Sequence, residues 1–390
     1  MKVAIPKERR ANERRVAASP ETVRKIKALG LDVAVESGAG AGASYPDQLY
    51  ADAGATIVAD PAALLGDADI VLKVQRPLTK GEGKVDELAM LKSGALLVGI
   101  LSPHGAPESV KAYADAGLVA VAMEFMPRIT RAQSMDVLSS QSNLAGYRAV
   151  VDAAHEFGRA FPMMMTAAGT VPPARCLVMG VGVAGLQAIA TAKRLGAVVS
   201  ATDVRPAVKE QVKSLGATFV AVEDEEFKQA ETSGGYAKEM SPEYRAKQAT
   251  LIAETIKKQD IIITTALIPG RKAPILVSAE MVASMKPGSV IIDLAVEQGG
   301  NVDGAKMGKI VTTENGVKIV GHLNVPSRIA VDASALYARN LLTFMQMVVD
   351  AKTGQLAINW DDEIIKGTAL TRDGRIIHPA FAPTTPPAGT

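Results

Sequence analysis

Cysteine and histidine are scarce in this sequence, which limits the chemistry that it can support. The 390 residues include a single cysteine, Cys176, and four histidines scattered along the chain. One cysteine excludes a disulfide framework, and the histidines lack the spacing of metal ligands, so we expect no bound metal. Cys176 lies within an apolar run, where a thiol is more typical of a small core residue than of a reactive nucleophile.

An excess of one charge and long apolar runs are also missing. The formal net charge of +2 gives no electrostatic reason to expect binding to nucleic acid. The first eight residues are a short apolar segment followed by charges, which is unlike a signal peptide. No run of about 18 apolar residues occurs, so we expect no direct membrane insertion. The sequence therefore predicts a cytoplasmic protein, linked to a membrane only through a partner.

A glycine pattern between two apolar runs is the most informative feature. The run 176–179 precedes Gly180, Gly182 and Gly185, an alanine-rich helical pattern follows, and a second apolar run ends at Asp203. The first glycine allows a tight turn, the second lets the backbone approach a pyrophosphate, and the third lets helix and strand pack closely. Asp203 lies 18 residues after Gly185, where a carboxylate accepts from a ribose 2′-OH and repels a 2′-phosphate. The pattern predicts a Rossmann site for NAD(H).

Further residues are expected to complete this site. Contacts with the pyrophosphate are expected from the turn and the start of its helix: Gly180, Gly182, Val183, Ala184 and Gly185. Contacts around the adenosine ribose are expected from Asp203, Val204 and Arg205. Asp203 favours NAD over NADP, but an arginine two residues after it weakens that argument. Ala266 and Leu267 follow another apolar run, where they would face the cofactor.

A long polar segment, 223–248, interrupts the second half of the chain. It is too long for an ordinary loop between a strand and a helix. One interpretation is a solvated surface excursion. The interpretation that we favour is a mobile loop that closes on the nucleotide, with Gly235, Tyr236 and Gln248 as the contacting residues.

Besides the run 176–179, strands are predicted at 3–6, 33–36, 70–74, 95–100, 119–123, 217–222, 260–266 and 289–294, and a helix capped by Ser19 is predicted to end at Gly30. Strands and helices alternate in both halves of the chain, which predicts an α/β fold. We expect two Rossmann-like, doubly wound parallel-sheet domains separated by a cleft. The N-terminal domain should comprise residues 1–138 and 329–390, because a helix from about Ala330 to Lys352 returns to it, and the NAD(H)-binding domain residues 139–328. A hairpin is expected at 311–320, and the proline-rich tail from Pro379 onward is predicted to be disordered.

Several short motifs give the sequence a family resemblance over nearly its whole length. It resembles the alanine dehydrogenases and the NAD(H)-binding component of proton-translocating NAD(P) transhydrogenases. Besides the glycine pattern, the motifs that carry this resemblance are Pro6-Lys7-Glu8, Glu13-Arg14-Arg15-Val16, Lys73-Val74-Gln75-Arg76-Pro77, Ile268–Pro274, Met285–Asp293 and Glu297–Gly300.

Departures from the alanine dehydrogenase pattern favour the transhydrogenase branch. The resemblance implies a second lysine where this chain has Gln75, and a catalytic histidine where it has Ser102. Arg15 and Lys73 are retained, but without its acid–base group the site should not turn over an amino acid. Two alternatives remain: an amino-acid dehydrogenase in which His104 takes the catalytic place, and a non-catalytic NAD(H)-binding module.

The segment 128–139 resembles the loop that surrounds the NAD nicotinamide in transhydrogenases. The resemblance implies NAD(H) contacts from Arg128, Ile129, Thr130, Arg131, Gln133 and Ser139, with Arg128, Gln133 and Asp136 as the catalytic group. In this interpretation the two arginines contact a phosphate or the carboxamide. Ser139 also binds the carboxamide. Asp136 fixes Arg128, and Gln133 reaches the second nucleotide. The alternative is a polar linker between domains.

The resemblance also implies partners. NADP(H) would be bound by a separate component, and an integral-membrane proton-channel component would couple hydride transfer to proton translocation. The chain would lie peripherally on the cytoplasmic side of the inner membrane through these subunits, as a homodimer. The apolar stretch 161–165 is a candidate dimer contact, with a place in the core as the alternative.

Overall fold

A computed structural model describes residues 1–228, 241–268 and 270–382, and the chain divides into two compact units. The first unit contains Met1–Gln141 and the chain from Ser327 onward, and the second contains Ser142–Pro326.

Six parallel strands form the sheet of the first unit, in the order β3-β2-β1-β4-β5-β6. The strands are β1 (Lys2–Ile5), β2 (Asp32–Glu36), β3 (Thr56–Val58), β4 (Ile70–Gln75), β5 (Leu96–Ile100) and β6 (Val119–Ala122). The helices between them are α1 (Pro20–Lys27), α2 (Asp47–Asp52), α3 (Pro61–Leu65) and α4 (Pro107–Asp115). The strand order reverses at β1, which confirms the doubly wound arrangement. Strand β3 was not expected.

The start of α1 shows how local sequence sets an element boundary. Ser19 caps the helix: its hydroxyl accepts a hydrogen bond from the Thr22 N–H at 3.2 Å, and the Thr22 hydroxyl accepts from the Ser19 N–H at 2.9 Å. Pro20 occupies the first helical position, where its missing N–H costs nothing. This reciprocal cap places the helix at the predicted position.

The second unit contains a seven-stranded sheet in the order β11-β10-β9-β12-β13-β15-β14, in which only the β14–β15 pair is antiparallel. The strands are β9 (Arg175–Met179), β10 (Val198–Thr202), β11 (Thr218–Phe219), β12 (Ile261–Thr264), β13 (Val290–Asp293), β14 (Ile310–Thr312) and β15 (Lys318–Val320), preceded by a separate hairpin of β7 (Met164–Thr166) and β8 (Gly169–Val171). The helices are α5 (Val137–Glu156), which begins in the first unit, then α6 (Val183–Arg194), α7 (Val208–Ser214), α8 (Glu225–Lys228), α9 (Pro242–Ile256) and α10 (Ala279–Ala283). The order again reverses at a central strand, β9, as the α/β prediction requires.

Part of the polar segment 223–248 is helical, which corrects the expectation of a single mobile loop. Helix α8 lies at one end, and α9 begins within the segment because Ser241 caps it and Pro242 takes the first helical position. The Ser241 hydroxyl accepts from the Tyr244 N–H at 3.1 Å. Gln248 therefore lies in a helix, while Gly235 and Tyr236 lie outside the described residues.

The chain returns to the first unit after the second sheet. The returning elements are α11 (Ala330–Val348), β16 (Val349–Asp350), β17 (Gln355–Leu356), α12 (Glu363–Thr368), β18 (Thr371–Arg372) and β19 (Arg375–Ile376). Tyr337 of α11 is buried and donates to the carbonyl of Lys73 at 2.7 Å. The Phe381 ring stacks 6.1 Å from the Phe125 ring, so the first residues of the tail that the sequence predicted to be disordered are packed.

The residues that the structure describes contain neither a membrane-spanning helix nor a metal-binding cluster. No helix among them is long and apolar enough to cross a membrane, and no cluster of three or more histidine, cysteine, aspartate or glutamate residues could hold a metal ion. Cys176 is buried in β9, and this burial raises the pKa of its thiol to about 12.

Candidate functional site

The glycine turn lies between β9 and α6, at the carboxyl edge of the second sheet, and its geometry requires two of its glycines. Gly180 has a φ of +96°, and a Cβ atom there would lie 2.7 Å from the Thr265 hydroxyl. A Cβ atom on Gly185 would lie 1.9 Å from the carbonyl oxygen of Gly180. Both positions exclude any larger residue, so these glycines are explained by the fold alone.

Gly182 differs, because nothing in the described structure requires a glycine there. Its φ is −81°, and a Cβ atom would meet no atom within 4 Å. Gly182 is also the N-cap of α6, and it provides no side-chain cap for that helix. The absence of a side chain leaves open space in front of a helix N-terminus, where backbone N–H groups and the helix dipole favour an anion.

The start of α6 also lies against α5 of the same unit. A Cβ atom on Gly146 would lie 2.0 Å from the carbonyl oxygen of Ala184, so only glycine lets the two helices approach this closely. Sequence reasoning missed Gly146, whose only signal is a glycine within a helical pattern. The close contact of α5 with α6 at Gly146 positions Val183 and Ala184, which are two of the predicted cofactor contacts.

Asp203 follows β10 and is bonded to the glycine turn. One carboxylate oxygen, Oδ2, accepts from the Val181 N–H at 2.7 Å, and the other, Oδ1, accepts from the Arg205 N–H at 2.9 Å. The Arg205 side chain forms an ion pair with the same carboxylate at 2.9 Å. The acid and the glycine turn thus form one hydrogen-bonded unit, and Val204 beside them is exposed.

Ala266 and Leu267 follow β12 at the same sheet edge, and a buried side chain holds Ala266 there. The Asn301 side chain accepts from the Ala266 N–H at 3.0 Å and donates to the carbonyls of Ala266 at 2.9 Å and Pro274 at 2.7 Å. The Asn301 N–H donates to Asp293, and burial raises the pKa of that carboxyl. Sequence reasoning missed this pair. The preceding Glu297–Gly300 motif was the available signal.

Gln248 supports the end of β10 from helix α9. Its side-chain oxygen accepts from the Val222 N–H at 2.8 Å, and its nitrogen donates to the Thr202 hydroxyl at 3.3 Å. Thr202 directly precedes Asp203, so Gln248 lies near the predicted ribose contact. A direct contact between Gln248 and the cofactor stays a prediction.

The segment 128–139 belongs to the first unit, and two of its charged side chains bind other residues of the same unit. Arg131 forms a bidentate ion pair with Asp362, the N-cap of α12, at 2.8 and 2.9 Å. Asp136 accepts from the Ser139 N–H at 2.9 Å and from the Ser139 hydroxyl at 2.5 Å. These pairs hold the short 3-10 helix Thr130–Met135 at both ends.

The residues that are predicted to contact the nicotinamide differ in their exposure to solvent. Arg128 and Gln133 are exposed, and Ile129 is partly buried against the core of the first unit. The expected fixing of Arg128 by Asp136 and the contacts of Arg128, Ile129, Thr130, Arg131, Gln133 and Ser139 with NAD(H) stay predictions.

The cations that an amino-acid substrate would need are already paired with glutamates. Arg15 is buried and forms an ion pair with Glu13 at 2.6 Å, and Gln75 donates to the same carboxylate at 2.6 Å. Lys73 is buried with its Nζ atom 3.0 Å from Glu87 and 3.4 Å from Glu8. Burial raises the pKa of Glu8.

The position of the missing histidine offers no replacement for it. Ser102 follows β5 with a φ of +49°, and its N–H donates to Glu124. The His104 ring packs 5.3 Å from the Phe125 ring and 5.2 Å from the Phe381 ring. His104 is therefore part of an aromatic cluster with these two rings.

Comparison with known proteins agrees with the arrangement in both units. Residues 4–145 match the family described as "Alanine dehydrogenase/PNT, N-terminal domain", and residues 149–379 match "Alanine dehydrogenase/PNT, C-terminal domain". The chain is 62% identical over 381 residues to the first part of NAD(P) transhydrogenase subunit alpha of Rhodospirillum rubrum, covering 98% of this chain and 99% of that protein. It is 31% identical over 389 residues to the alanine dehydrogenase of Halomonas elongata, covering 98% and 96%.

A solved structure gives the same result for the fold. The crystal structure of transhydrogenase from Sinorhizobium meliloti superimposes with a TM-score of 0.87 at 58% sequence identity, covering 97% of this chain and 100% of that one. The two-unit α/β architecture predicted from the sequence is thereby confirmed.

Proposed function

This chain belongs to the alanine dehydrogenase/PNT family, and on that premise we propose that it is the NAD(H)-binding subunit of a proton-translocating transhydrogenase. The reaction is direct hydride transfer between NAD(H) on this chain and NADP(H) on a partner component. A membrane component couples that transfer to proton translocation.

The observation that carries the proposal is the bond between Asp203 and the glycine turn. The 2.7 Å contact from the Val181 N–H puts a carboxylate beside the open N-terminus of α6, at the carboxyl edge of the sheet. That helix end suits a pyrophosphate, and the carboxylate suits the 2′-hydroxyl of the adenosine ribose. The described residues therefore fit NAD(H) and disfavour a 2′-phosphate.

Hydride transfer between two nicotinamides needs no acid, base or metal from the protein. A hydride leaves one ring for the other, and no proton is exchanged with solvent. The protein must hold the reacting atoms about 3–3.5 Å apart and exclude water. Arg128, Gln133 and Asp136 serve this positioning, with Gln133 at the side of the second nucleotide.

The paired glutamates argue against turnover of an amino acid. A substrate carboxylate would have to displace Glu13 from Arg15, and Glu8 and Glu87 already neutralise Lys73. His104 packs against two phenylalanine rings, which argues against its taking the place of the missing acid–base group. An alanine-dehydrogenase-like activity is therefore the weaker candidate.

The proposed assembly is a homodimer that lies on the cytoplasmic side of the inner membrane through its partner subunits. Exposed methionines at the β7–β8 hairpin support the dimer: Met164 and Met165 lie in β7, and Met163 directly precedes it. Phe161, at the base of the hairpin, is buried in the core of the second unit, so the core role considered for the stretch 161–165 applies to this residue, and the dimer contact is proposed for the methionines alone.

A reconstitution experiment tests the proposed function. The purified chain is mixed with a soluble NADP(H)-binding transhydrogenase component, and hydride transfer from NADPH to an NAD analogue is followed by absorbance. We expect rapid transfer in the mixture and none with either protein alone. NADH binding without transfer, together with NADH oxidation that requires pyruvate and ammonia, would instead support the alanine dehydrogenase alternative. Binding without any turnover would support a regulatory module.

Gln133→Ala refines the same experiment. We expect hydride transfer about 10-fold slower or more, because the contact with the second nucleotide is lost, and an NADH affinity close to that of the unsubstituted chain. Gln48→Ala, at an exposed glutamine of helix α2 in the first unit, is a control for the substitution itself. A large loss of NADH affinity in Gln133→Ala would place this side chain at the first nucleotide.

A further inference from the structure

The side chain of Arg205 is folded onto Asp203 and occupies both of its carboxylate oxygens. The Arg205 Nε atom donates to Oδ1 at 2.9 Å, and Nη2 donates to Oδ2 at 3.0 Å. Nη2 also donates to the carbonyl of Val181, at 3.2 Å, in the glycine turn. The guanidinium therefore bridges the acid and the turn.

The two partners differ in their freedom to move. The Asp203 side chain is 7% exposed, and its Oδ2 atom is also held by the Val181 N–H. The Arg205 side chain is 30% exposed, so it can turn toward solvent or toward a ligand. The acid is the fixed member of the pair.

The chemistry of the two groups points to opposite cofactors. In Rossmann sites a carboxylate in this position binds the ribose 2′-hydroxyl of NAD, whereas a nearby arginine accommodates the 2′-phosphate of NADP. A guanidinium matches a phosphate with two parallel charge-assisted hydrogen bonds. This chain has both groups two residues apart, bonded to each other.

We infer that Arg205 is a latent 2′-phosphate ligand that Asp203 keeps occupied, so that the pair as a whole determines the preference for NAD(H). The inference rests on the proposed function, because it takes the ribose to lie beside Asp203. The carboxylate acts twice: it repels a 2′-phosphate directly, and it binds the cation that would otherwise attract one.

Removing the charge of Asp203 should release the arginine. Asp203→Asn keeps an oxygen that accepts from the Val181 N–H, so the turn is retained, but it gives up the charge that holds the guanidinium. Arg205→Ala removes the cation and leaves the repelling carboxylate in place. The double variant removes both groups and separates the two actions of Asp203.

The experiment measures the dissociation constants of NADH and NADPH for the full chain and the three variants at one ionic strength. We expect Asp203→Asn to lower the ratio of the NADPH constant to the NADH constant by about 10- to 100-fold. Arg205→Ala should leave that ratio unchanged or raise it. In the double variant most of the shift seen with Asp203→Asn should be lost. The gain in NADPH affinity of Asp203→Asn should also shrink as salt is raised.

Several outcomes would overturn the inference. An unchanged ratio in Asp203→Asn would do so, and so would an equal shift in the double variant, which would mean that repulsion alone sets the preference. Asp203→Ser serves the same purpose if Asp203→Asn does not fold, as judged by its melting temperature. Failure of the unsubstituted chain to bind NADH would contradict the proposed function itself. If the unsubstituted chain binds NADH but the variants do not show the expected ratios of the NADPH and NADH constants, only the role of Arg205 is contradicted.

Discussion

Asp203 is the residue whose loss should affect the cofactor most directly. We expect Asp203→Ala to weaken NADH binding by about 1–3 kcal/mol, because a charged acceptor for the ribose hydroxyl is removed. Isothermal titration with NADH measures the change. Asp303→Ala is a matched control, since Asp303 is an exposed carboxylate of the same unit that accepts from the Ala279 N–H at 3.2 Å. Equal NADH affinity in the two variants would contradict the assignment of the site.

Glu124 gives the first unit a pH dependence of its own. Burial raises the pKa of this carboxyl to about 7, although the N–H groups of Leu101 and Ser102 donate to it. The unfolded chain has the lower pKa, so between about pH 4.5 and 7 the folded state binds more protons than the unfolded state. The free energy of unfolding should therefore fall as the pH rises through this window, by about 1–2 kcal/mol given the partial exposure of the side chain.

Urea unfolding at pH 5 and pH 8 measures this dependence. Trp360, the sole tryptophan of the chain, lies in the first unit and reports its unfolding by fluorescence. Glu124→Gln should reduce the fall in the free energy of unfolding between these two values, and the dependence that remains belongs to other groups such as Glu8, whose pKa is also raised by burial. A slope in the variant equal to that of the unsubstituted chain would show that another group titrates.

At the scale of elements, the turn between β9 and α6 contains a glycine that the fold requires, Gly185, and one that faces the proposed ligand, Gly182. Gly182→Ala should leave the melting temperature almost unchanged, because a Cβ atom there meets nothing within 4 Å. It should still weaken NADH binding by about 10-fold or more, because the methyl group occupies the space that a pyrophosphate needs.

Gly185→Ala is the matched comparison at the same turn. Its Cβ atom would overlap the carbonyl of Gly180, so we expect a lowered melting temperature in addition to weaker binding. Thermal unfolding followed by circular dichroism, with NADH titration of both variants, distinguishes the two cases. A Gly182→Ala variant that binds NADH normally would exclude the pyrophosphate from this helix end.

The elements that the sequence predicted correctly carry strong local signals. Buried apolar runs gave β4, β5, β9, β12 and β13, and the cap at Ser19 gave the start of α1. The elements that it missed lack such signals: β3 is three residues long and partly exposed, and the β7–β8 hairpin is mostly exposed. Helix α9 was taken for a portion of a loop because polar composition outweighed the capping serine at its start.

At the scale of the whole molecule, the sequence indicated that the glycine turn and Asp203 lie together, but not how the candidate site is bonded. The glycine spacing and the acid at the end of β10 were sufficient to predict a dinucleotide site. The pairing of Arg131 with Asp362, of Lys73 with Glu87 and of Asn301 with Ala266 joins distant parts of the chain. Such contacts depend on tertiary packing, which no local pattern encodes.

The proposed dimer makes a prediction for the β7–β8 hairpin. Met165→Glu should convert the dimer to a monomer at micromolar concentration, because a charge would be buried in an apolar contact. Sedimentation velocity measures the change, and circular dichroism shows whether the fold is retained. Met307→Glu, at an exposed methionine elsewhere in the second unit, should remain dimeric. An unchanged dimer in Met165→Glu would mean that another surface forms the contact.

The exposed methionines also make the hairpin sensitive to oxidation. Met165 is 78% exposed, so peroxide reaches its thioether readily and converts it to a polar sulfoxide. The flexible, apolar side chain that a second copy would cover then becomes hydrophilic. In the assembled dimer the same sulfur would be shielded from the oxidant. In the proposed dimer, peroxide treatment should therefore weaken the contact at this hairpin, and dimer formation should slow the oxidation of Met165.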